Sequence, residues 1–174
     1  MHARGTWGRG GFTLIELLVV FAVIVVIAAM MIPLFLNAMH RAKQRRTMAE
    51  MHLAGKAMMS WVTDQVAAGA AGADATISIT DYGLQLSPAQ LASLLEPTYM
   101  AQIPRVDGWQ KSFDYRLQEN PQAAQRLAGI RSAGRDGVFG GDTYTASPFD
   151  PNEFEQDLVW VDGFFVRWPE RTAN

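Results

Sequence analysis

The chain has 174 residues, 49% of them hydrophobic, and 15 basic and 17 acidic side chains give it a net charge of −2. This length allows one domain with a long helix beside it, and the balanced charge gives no indication of nucleic-acid binding. The chain has no cysteine, which excludes disulfides, thiolate nucleophiles and cysteine-based zinc sites. None of its three histidines, His2, His40 and His52, is near another cluster of candidate metal ligands.

The first strong signal is a run of twenty uncharged residues from Leu17 to Leu36. A helix of that length is about 30 Å long, which is the hydrocarbon thickness of a bilayer. The run therefore predicts a transmembrane helix. A buried core helix would not need so long an apolar run. A removable secretory signal would have a shorter apolar core, with a cleavage site of small residues after it rather than the basic residues found from Arg41 to Arg46.

Glu16 lies just before this run. A carboxylate at the centre of a membrane helix costs roughly 2.5–3.5 kcal/mol, and less near the interface. Two interpretations follow from this cost and stay open at this point. Glu16 either sits among the lipid headgroups with no further role, or it pairs with a positive group inside the membrane.

The string GFTLIELLVV, from Gly11 to Val20, resembles the N-terminal motif of type IV prepilins and type II secretion pseudopilins. The resemblance implies that a prepilin peptidase cuts between Gly11 and Phe12 on the cytoplasmic side, and that Phe12 is then N-methylated. Glu16 becomes the fifth residue of the mature chain, where the family has its characteristic acid. Pro33 falls where many such subunits have a helix-kinking proline.

With this resemblance the chain divides into four parts: a prepilin leader (1–11), a transmembrane helix (12–36), an amphipathic helix (37–68) and a C-terminal α+β domain (69–174). Proline lacks an N–H group, so a kink or a short unwound stretch is expected at Pro33. Glycines at 69–72 predict the end of the helix. An apolar stripe at helical spacing is predicted to pack against the C-terminal domain; its members are Ala38, Ala42, Ala49, Leu53, Ala57, Trp61 and Val62.

The C-terminal half predicts one short helix followed by strands. Ser87-Pro88 is typical of a helix start, and Leu91 and Leu95 follow it at helical spacing. Alternating apolar residues indicate strands, and Asp162-Gly163 predicts a hairpin turn; the segments concerned are 113–117, 127–132, 158–161 and 164–168. The expected fold is α+β, a long N-terminal helix packed against a small antiparallel β-sheet.

The orientation in the membrane is predicted differently by two signals. Two basic residues precede the apolar run and four follow it closely, so charge bias alone would place the C-terminus in the cytoplasm. The prepilin motif requires the opposite orientation, because the cut is made on the cytoplasmic side. We follow the motif and expect a single-pass protein of the bacterial inner membrane. Its C-terminal domain would lie in the periplasm, within a pseudopilus after assembly.

An acidic segment runs from Asp136 to Asp162, with seven acids, no lysine and no arginine. Carboxylates on a glycine-rich backbone suit Ca²⁺, although the spacing is not that of an EF-hand, and on physical grounds alone a solvated acidic loop is favoured. The surrounding residues resemble the C-terminal part of the major pseudopilin of type II secretion; the matching stretches are 107–109, 132–137, 140–142 and 157–159. That family holds a calcium ion in this loop.

The resemblance to the major pseudopilin implies calcium ligands at Asp136, Asp142 and Asp157. Residues 118–125 and 143–155 depart from the family pattern. The sequence has no GxSxG, HExxH or phosphate-binding glycine motif, so we expect no enzyme.

The implied function is that of a structural subunit of a type II secretion pseudopilus, polymerised through its N-terminal helix to drive protein export. The alternative is a type IV pilin or minor pilin for adhesion, motility or DNA uptake. The expected partners are further copies of the chain, prepilin peptidase, minor pseudopilins, the inner-membrane assembly platform and the lipid bilayer, with no nucleic acid.

The motif makes a direct prediction about processing. The mature protein isolated from its host should begin at Phe12 and carry a methyl group on its α-amine. Intact-mass measurement together with N-terminal peptide sequencing checks both features. A mature chain that still begins with Met1 would contradict the prediction.

Overall fold

A computed structural model describes residues 12–65, 76–118 and 125–170. The predicted leader, including Gly11, and the glycines at 69–72 lie outside the described residues. The chain forms two compact units, one up to Ala38 and one from Met39 onward. The proposed four-part division of the chain therefore stays a prediction.

Helix α1 extends over Leu14–Gln65, and its N-terminal part belongs to the first unit. It is long and apolar enough to cross a membrane, and its most apolar window has a mean hydropathy of 3.1 with none of that window buried in the protein. Pro33 lies inside α1, where the structure shows helix on both sides and no unwound stretch. A proline removes one backbone hydrogen bond, and here the neighbouring turns remain helical without it.

The second half of α1 packs in the second unit by a face that differs in part from the predicted stripe. Ala57 and Val62 are buried as expected, but Leu53 is 55% exposed. Ala38, Ala42 and Ala49 are exposed as well. The buried face instead includes two polar residues; its members are Gln44, Thr47, Met51, Ala54, Gly55, Ala57, Met58 and Val62. Alanine and leucine lie on more than one side of this helix, so their spacing alone does not select the packed face.

Eight strands are present in the described residues: β1 (Thr76–Ser78), β2 (Leu84–Leu86), β3 (Asp114–Leu117), β4 (Ala128–Ser132), β5 (Thr143–Thr145), β6 (Ser147–Phe149), β7 (Leu158–Val161) and β8 (Phe164–Pro169). Strands β1 and β5 pair with each other, and the remaining six form a sheet in the order β2-β3-β4-β7-β8-β6. All pairs are antiparallel except β6 with β8, which is parallel. The α+β prediction is confirmed, with the correction that the sheet is mixed.

The predicted short elements are also confirmed. Helix α2 (Pro88–Leu95) begins with a capping box in which Ser87 and Gln90 exchange hydrogen bonds, and Leu91 and Leu95 are fully buried. At the β7–β8 hairpin, Asp162 and Gly163 both have positive φ, at 43° and 109°. This conformation explains the Asp-Gly pair, because glycine adopts it at no steric cost. The sequence did not predict β1, β2, β5, β6 or a 3₁₀ helix at Ile79–Tyr82.

The core of the second unit lies between α1, α2 and the large sheet. Trp160 of β7 and Tyr115 of β3 are its largest fully buried side chains, and Met51 and Met58 reach it from α1. The indole of Trp160 lies directly over Gly55, where an added Cβ atom would come within 2.4 Å of the ring. A glycine in the helix interior costs about 1 kcal/mol relative to alanine, and close packing of the tryptophan offsets this cost.

A tight turn at Asp107–Trp109 joins this core to α1. The Asp107 carboxylate is fully buried and accepts hydrogen bonds from the backbone N–H groups of Trp109 (2.8 Å) and Lys111 (2.9 Å) and from the Ser132 hydroxyl (2.6 Å). The Gly108 N–H donates to the Thr47 hydroxyl of α1 at 2.8 Å. The turn therefore connects β4 to the helix through groups that have no access to water.

Gly108 has a steric reason to be glycine. A Cβ atom built on it would lie 2.4 Å from the backbone oxygen of Lys43 in α1. The Asp-Gly-Trp motif is thus explained residue by residue: the acid holds the turn, and the glycine lets it touch the helix. Trp109 completes the contact, because its indole N–H donates to Nδ1 of His40 at 3.3 Å.

Replacing Asp107 by alanine should destabilise the folded protein by about 3 kcal/mol, because the substitution leaves buried donors without acceptors. Thermal unfolding of the full chain in detergent, followed by circular dichroism, checks this. Asp150→Ala is the matched control, since Asp150 is exposed and, among the described residues, its carboxylate accepts hydrogen bonds from Asn152 in its own turn. Equal destabilisation by the two variants would contradict the assignment.

Candidate functional site

The N-terminal site is built around the start of α1. Thr13 precedes the first helical residue, and its hydroxyl accepts a hydrogen bond from the Glu16 N–H at 3.3 Å. In return, Oε2 of Glu16 accepts from the Thr13 N–H (2.9 Å) and hydroxyl (2.8 Å). This reciprocal pattern is a capping box, which satisfies backbone donors that a helix start leaves unpaired.

The capping box gives Glu16 a local role that sequence reasoning missed. The signal was present, because Thr13-Leu14-Ile15-Glu16 has the spacing of that motif. A negative side chain in the first turn also interacts favourably with the helix dipole. Within the chain, therefore, the acid has partners before any assembly takes place.

The apolar surface beyond this cap has no partner in the described residues of the chain. Phe12 is 76% exposed, and nearly all the residues from Phe12 to Leu36 are exposed. Exposed apolar surface of this extent indicates contact with lipid or with another protein. Phe12 and Glu16 lie together at the start of this surface and Pro33 near its end, so the structure shows where these predicted residues lie but does not test their roles.

The second site is the acidic loop, which lies in the segment between β4 and β7 that also contains β5 and β6, and it is organised by Arg131. Its guanidinium is buried and pairs with Asp114 at 2.7 Å and with Asp142 at 3.0 Å. It also donates to the backbone oxygen of Gly141 (2.8 Å), and it lies 4.0 Å from the ring centroid of Phe139. A single cation thus holds both the loop and the adjacent strand β3.

Tyr144 extends this network to Asp157. The Tyr144 hydroxyl accepts a hydrogen bond from Arg131 Nη1 at 3.1 Å and donates one to Asp157 Oδ2 at 2.7 Å. The Gly140 N–H donates to the same Oδ2 at 2.9 Å. Burial raises the pKa of Asp157, an effect opposed by these two hydrogen bonds and by the charge of Arg131. Burial also raises the pKa of Tyr144, so this group remains a neutral donor at physiological pH.

The other carboxylate oxygen of Asp157 is the notable atom of the loop. Oδ1 is buried, and no described residue donates a hydrogen bond to it. Asp136 lines the same cavity, which has a volume of about 530 Å³, and its negative charge also acts on the Asp157 carboxyl. A desolvated carboxylate oxygen without a donor beside a second carboxylate is chemically suited to a hard cation.

The three predicted calcium ligands therefore have different surroundings. Asp136 and Asp157 line one cavity, whereas Asp142 is ion-paired with Arg131 and would have to exchange that partner to bind a metal ion. Across the described ranges, no three His, Asp or Glu side chains converge closely enough to hold a metal ion by themselves. Further oxygens would have to come from the loop backbone or from water. All three ligand assignments stay predictions.

Arg131 and Tyr144 were not singled out from the sequence. Arg131 lies in a strand whose five residues are all buried, and nothing in the local pattern distinguishes its charge from that of an exposed strand residue. Tyr144 lies in β5, which was itself not predicted. Only the tertiary fold brings the two side chains together with Asp114 and Asp157.

Comparison with known proteins gives one match. A family model described as the prokaryotic N-terminal methylation motif matches residues 8–32. No curated protein and no solved structure matches the chain significantly. The matched segment contains the predicted processing position between Gly11 and Phe12, Glu16 and most of the apolar run. This motif is a type IV pilin-like prepilin signal, and the match covers 25 of the 174 residues.

Proposed function

We propose that this chain is a structural subunit of a type II secretion pseudopilus, processed by prepilin peptidase and polymerised through its N-terminal helix to drive protein export. The observation that carries the proposal is the methylation motif at residues 8–32, which includes the start of a helix with an exposed apolar surface. A helix of this kind is stored in the bilayer as a monomer. In a filament the same surface packs against the helices of neighbouring subunits, together with minor pseudopilins and the inner-membrane assembly platform.

Cleavage after Gly11 would create a positive α-amine on Phe12, one residue before the capping box. In the apolar interior of a filament, Glu16 of one subunit would pair with this amine on the same chain or on a neighbour. An unpaired charge in such surroundings is costly, so the pairing would favour one axial register between subunits. The capping box holds the acid at the helix start, where the amine forms.

The capping box makes it possible to separate the two roles of Glu16. Glutamine can occupy the same position in a capping box but carries no charge. We expect both Glu16→Gln and Glu16→Ala to be cleaved and inserted in the membrane, yet to give less than about one tenth of the normal amount of filament. Cells that overproduce each variant are scored by electron microscopy, and processing is followed by the mass of the chain.

The same strains also test the function. In a deletion strain, the wild-type gene should restore the release of secreted proteins and the Glu16→Gln gene should not, while twitching motility is unaffected by either. Normal filaments from Glu16→Gln would contradict the charge pairing. Loss of twitching with normal protein secretion would contradict the pseudopilus and favour a pilin.

A type IV pilin or minor pilin is the second candidate. Residues 143–155 depart from the major-pseudopilin pattern, and in the structure part of this segment folds into β5 and β6. The secretion role is favoured by the acidic loop with Asp136 and Asp157 in one cavity, and by the lack of the cysteine pair that many pilins have.

We propose calcium as the ligand of this loop, held by Asp136 and Asp157 with Asp142 as a further ligand if it leaves Arg131. The ion would supply the positive charge that the buried Oδ1 of Asp157 lacks. It would order the loop between β4 and β7 and carry out no chemistry.

Calcium in excess over EDTA should therefore raise the melting temperature of the full chain in detergent by several degrees. Asp157→Asn should abolish the shift because it removes the negative charge. The matched control Asp150→Asn should keep the shift, because Asp150 is exposed and does not line the cavity. Differential scanning fluorimetry measures all three proteins. The same melting temperature in Ca²⁺ and in EDTA for the wild type would argue against the site.

A further inference from the structure

A groove in the second unit lies between the first turns of that unit's part of α1 and the end of β8. It has a volume of about 670 Å³. Its walls are Arg41, Gln44, Arg45 and Met48 from the helix and Pro151, Phe165, Trp168, Pro169 and Glu170 from the sheet side. The groove thus combines apolar side chains with two guanidinium groups.

The charges in the groove are only partly satisfied within the protein. The Arg41 guanidinium donates to the neutral amide oxygen of Asn152 at 2.7 Å. Among the described residues, no carboxylate lies within ion-pair distance of Arg41 or Arg45. Glu170 also lines the groove, which leaves a net charge of about +1 there. This arrangement is complementary to a single anionic group.

The position of the arginines along the chain indicates which anion they meet. Arg41 follows Leu36, the last residue of the uncharged run, by five positions, and Arg45 is one helical turn further on. At the rise of an α-helix, five residues correspond to about 7.5 Å. If the run spans the bilayer, Arg41 and Arg45 are at the level of the lipid headgroups. Tryptophan, here Trp168, is also typical of that level.

We propose that this groove binds the headgroup of an anionic phospholipid, with its phosphodiester held by Arg41 and Arg45 and its glycerol backbone against Trp168 and Phe165. Guanidinium groups bind phosphate oxygens through paired hydrogen bonds, and two arginines one turn apart on a helix present such donors side by side. The lipid holds the C-terminal unit at the membrane surface before assembly. This role needs membrane anchoring but does not depend on polymerisation.

A lipid site also gives a reason for the basic residues that follow the apolar run. Four basic residues follow the run closely, and charge bias would place such residues in the cytoplasm. With a periplasmic C-terminal unit they lie on the opposite side of the membrane. Two of the four, Arg41 and Arg45, line the groove, and a third, Arg46, is instead paired with Glu50 at 2.8 Å on another side of the helix. The fourth, Lys43, does not line the groove, so Arg41 and Arg45 are the two basic residues of this group that an anion in the groove would meet.

The test compares short-chain lipids on the full chain in non-ionic detergent at 150 mM salt. Dihexanoyl-phosphatidylglycerol and dihexanoyl-phosphatidylcholine are titrated separately, and bound lipid is counted by native mass spectrometry. Phosphatidylglycerol should bind on the order of tenfold more tightly than phosphatidylcholine, and the double variant Arg41→Gln/Arg45→Gln should lose this preference. Arg46→Gln removes one charge from the same helix outside the groove and should keep the preference.

Thermal unfolding by circular dichroism verifies that each variant is folded, and Trp168→Phe provides a milder change in the groove that should weaken binding several-fold. Equal loss of preference in the double variant and in Arg46→Gln would overturn the site, because the effect would then be general charge. Displacement of the lipid by millimolar inorganic phosphate would overturn the headgroup assignment. A concentration-dependent dimer that needs both arginines, without lipid preference, would assign the groove to a second copy instead.

Discussion

The contact between the Asp107–Trp109 turn and α1 is the constraint on which the second unit depends. A fully buried carboxylate closes the turn and binds Ser132 of β4, while Gly108 lies against the helix backbone with no room for a side chain. A buried charge of this kind is stable only with its donors in place, so the turn, the strand and the helix must form together. The position of the helix relative to the sheet, and with it the groove at Arg41 and Arg45, follows from this contact.

Arg131 has a comparable part in the acidic loop. A segment with seven acids and no basic residue would repel itself, yet its central part lies against one buried guanidinium that comes from β4. The arginine compensates Asp114 and Asp142, but no side chain or backbone group in the described parts of the chain donates to Asp157 Oδ1. The loop thus has an internal cation and, in our proposal, space for an external one. The two would act on neighbouring carboxylates, and Asp142 is the residue for which they compete.

The two parts of helix α1 have different surroundings. Its first part has an exposed apolar surface and begins with the Thr13–Glu16 capping box, whereas its second part buries a mixed face that includes Gln44 and Thr47. The buried Thr47 hydroxyl is tolerated because it accepts a hydrogen bond from the Gly108 N–H. The proposed roles in assembly and in lipid binding are separated in the same way, one at Glu16 and the other beyond the apolar run at Arg41 and Arg45.

The sequence by itself determined the features whose signals are local. The apolar run predicted a helix able to span a membrane, the string from Gly11 to Val20 carried the prepilin signal, and Ser87-Pro88 and Asp162-Gly163 predicted a capped helix and a hairpin. Each depends on residues that are neighbours in the chain, so their spacing is sufficient. Only the tertiary structure decided which face of α1 is buried, that β6 pairs in parallel with β8, and that Arg131, Tyr144 and Asp157 meet. The contacts that decide these features join residues far apart in the sequence, and no local periodicity records them.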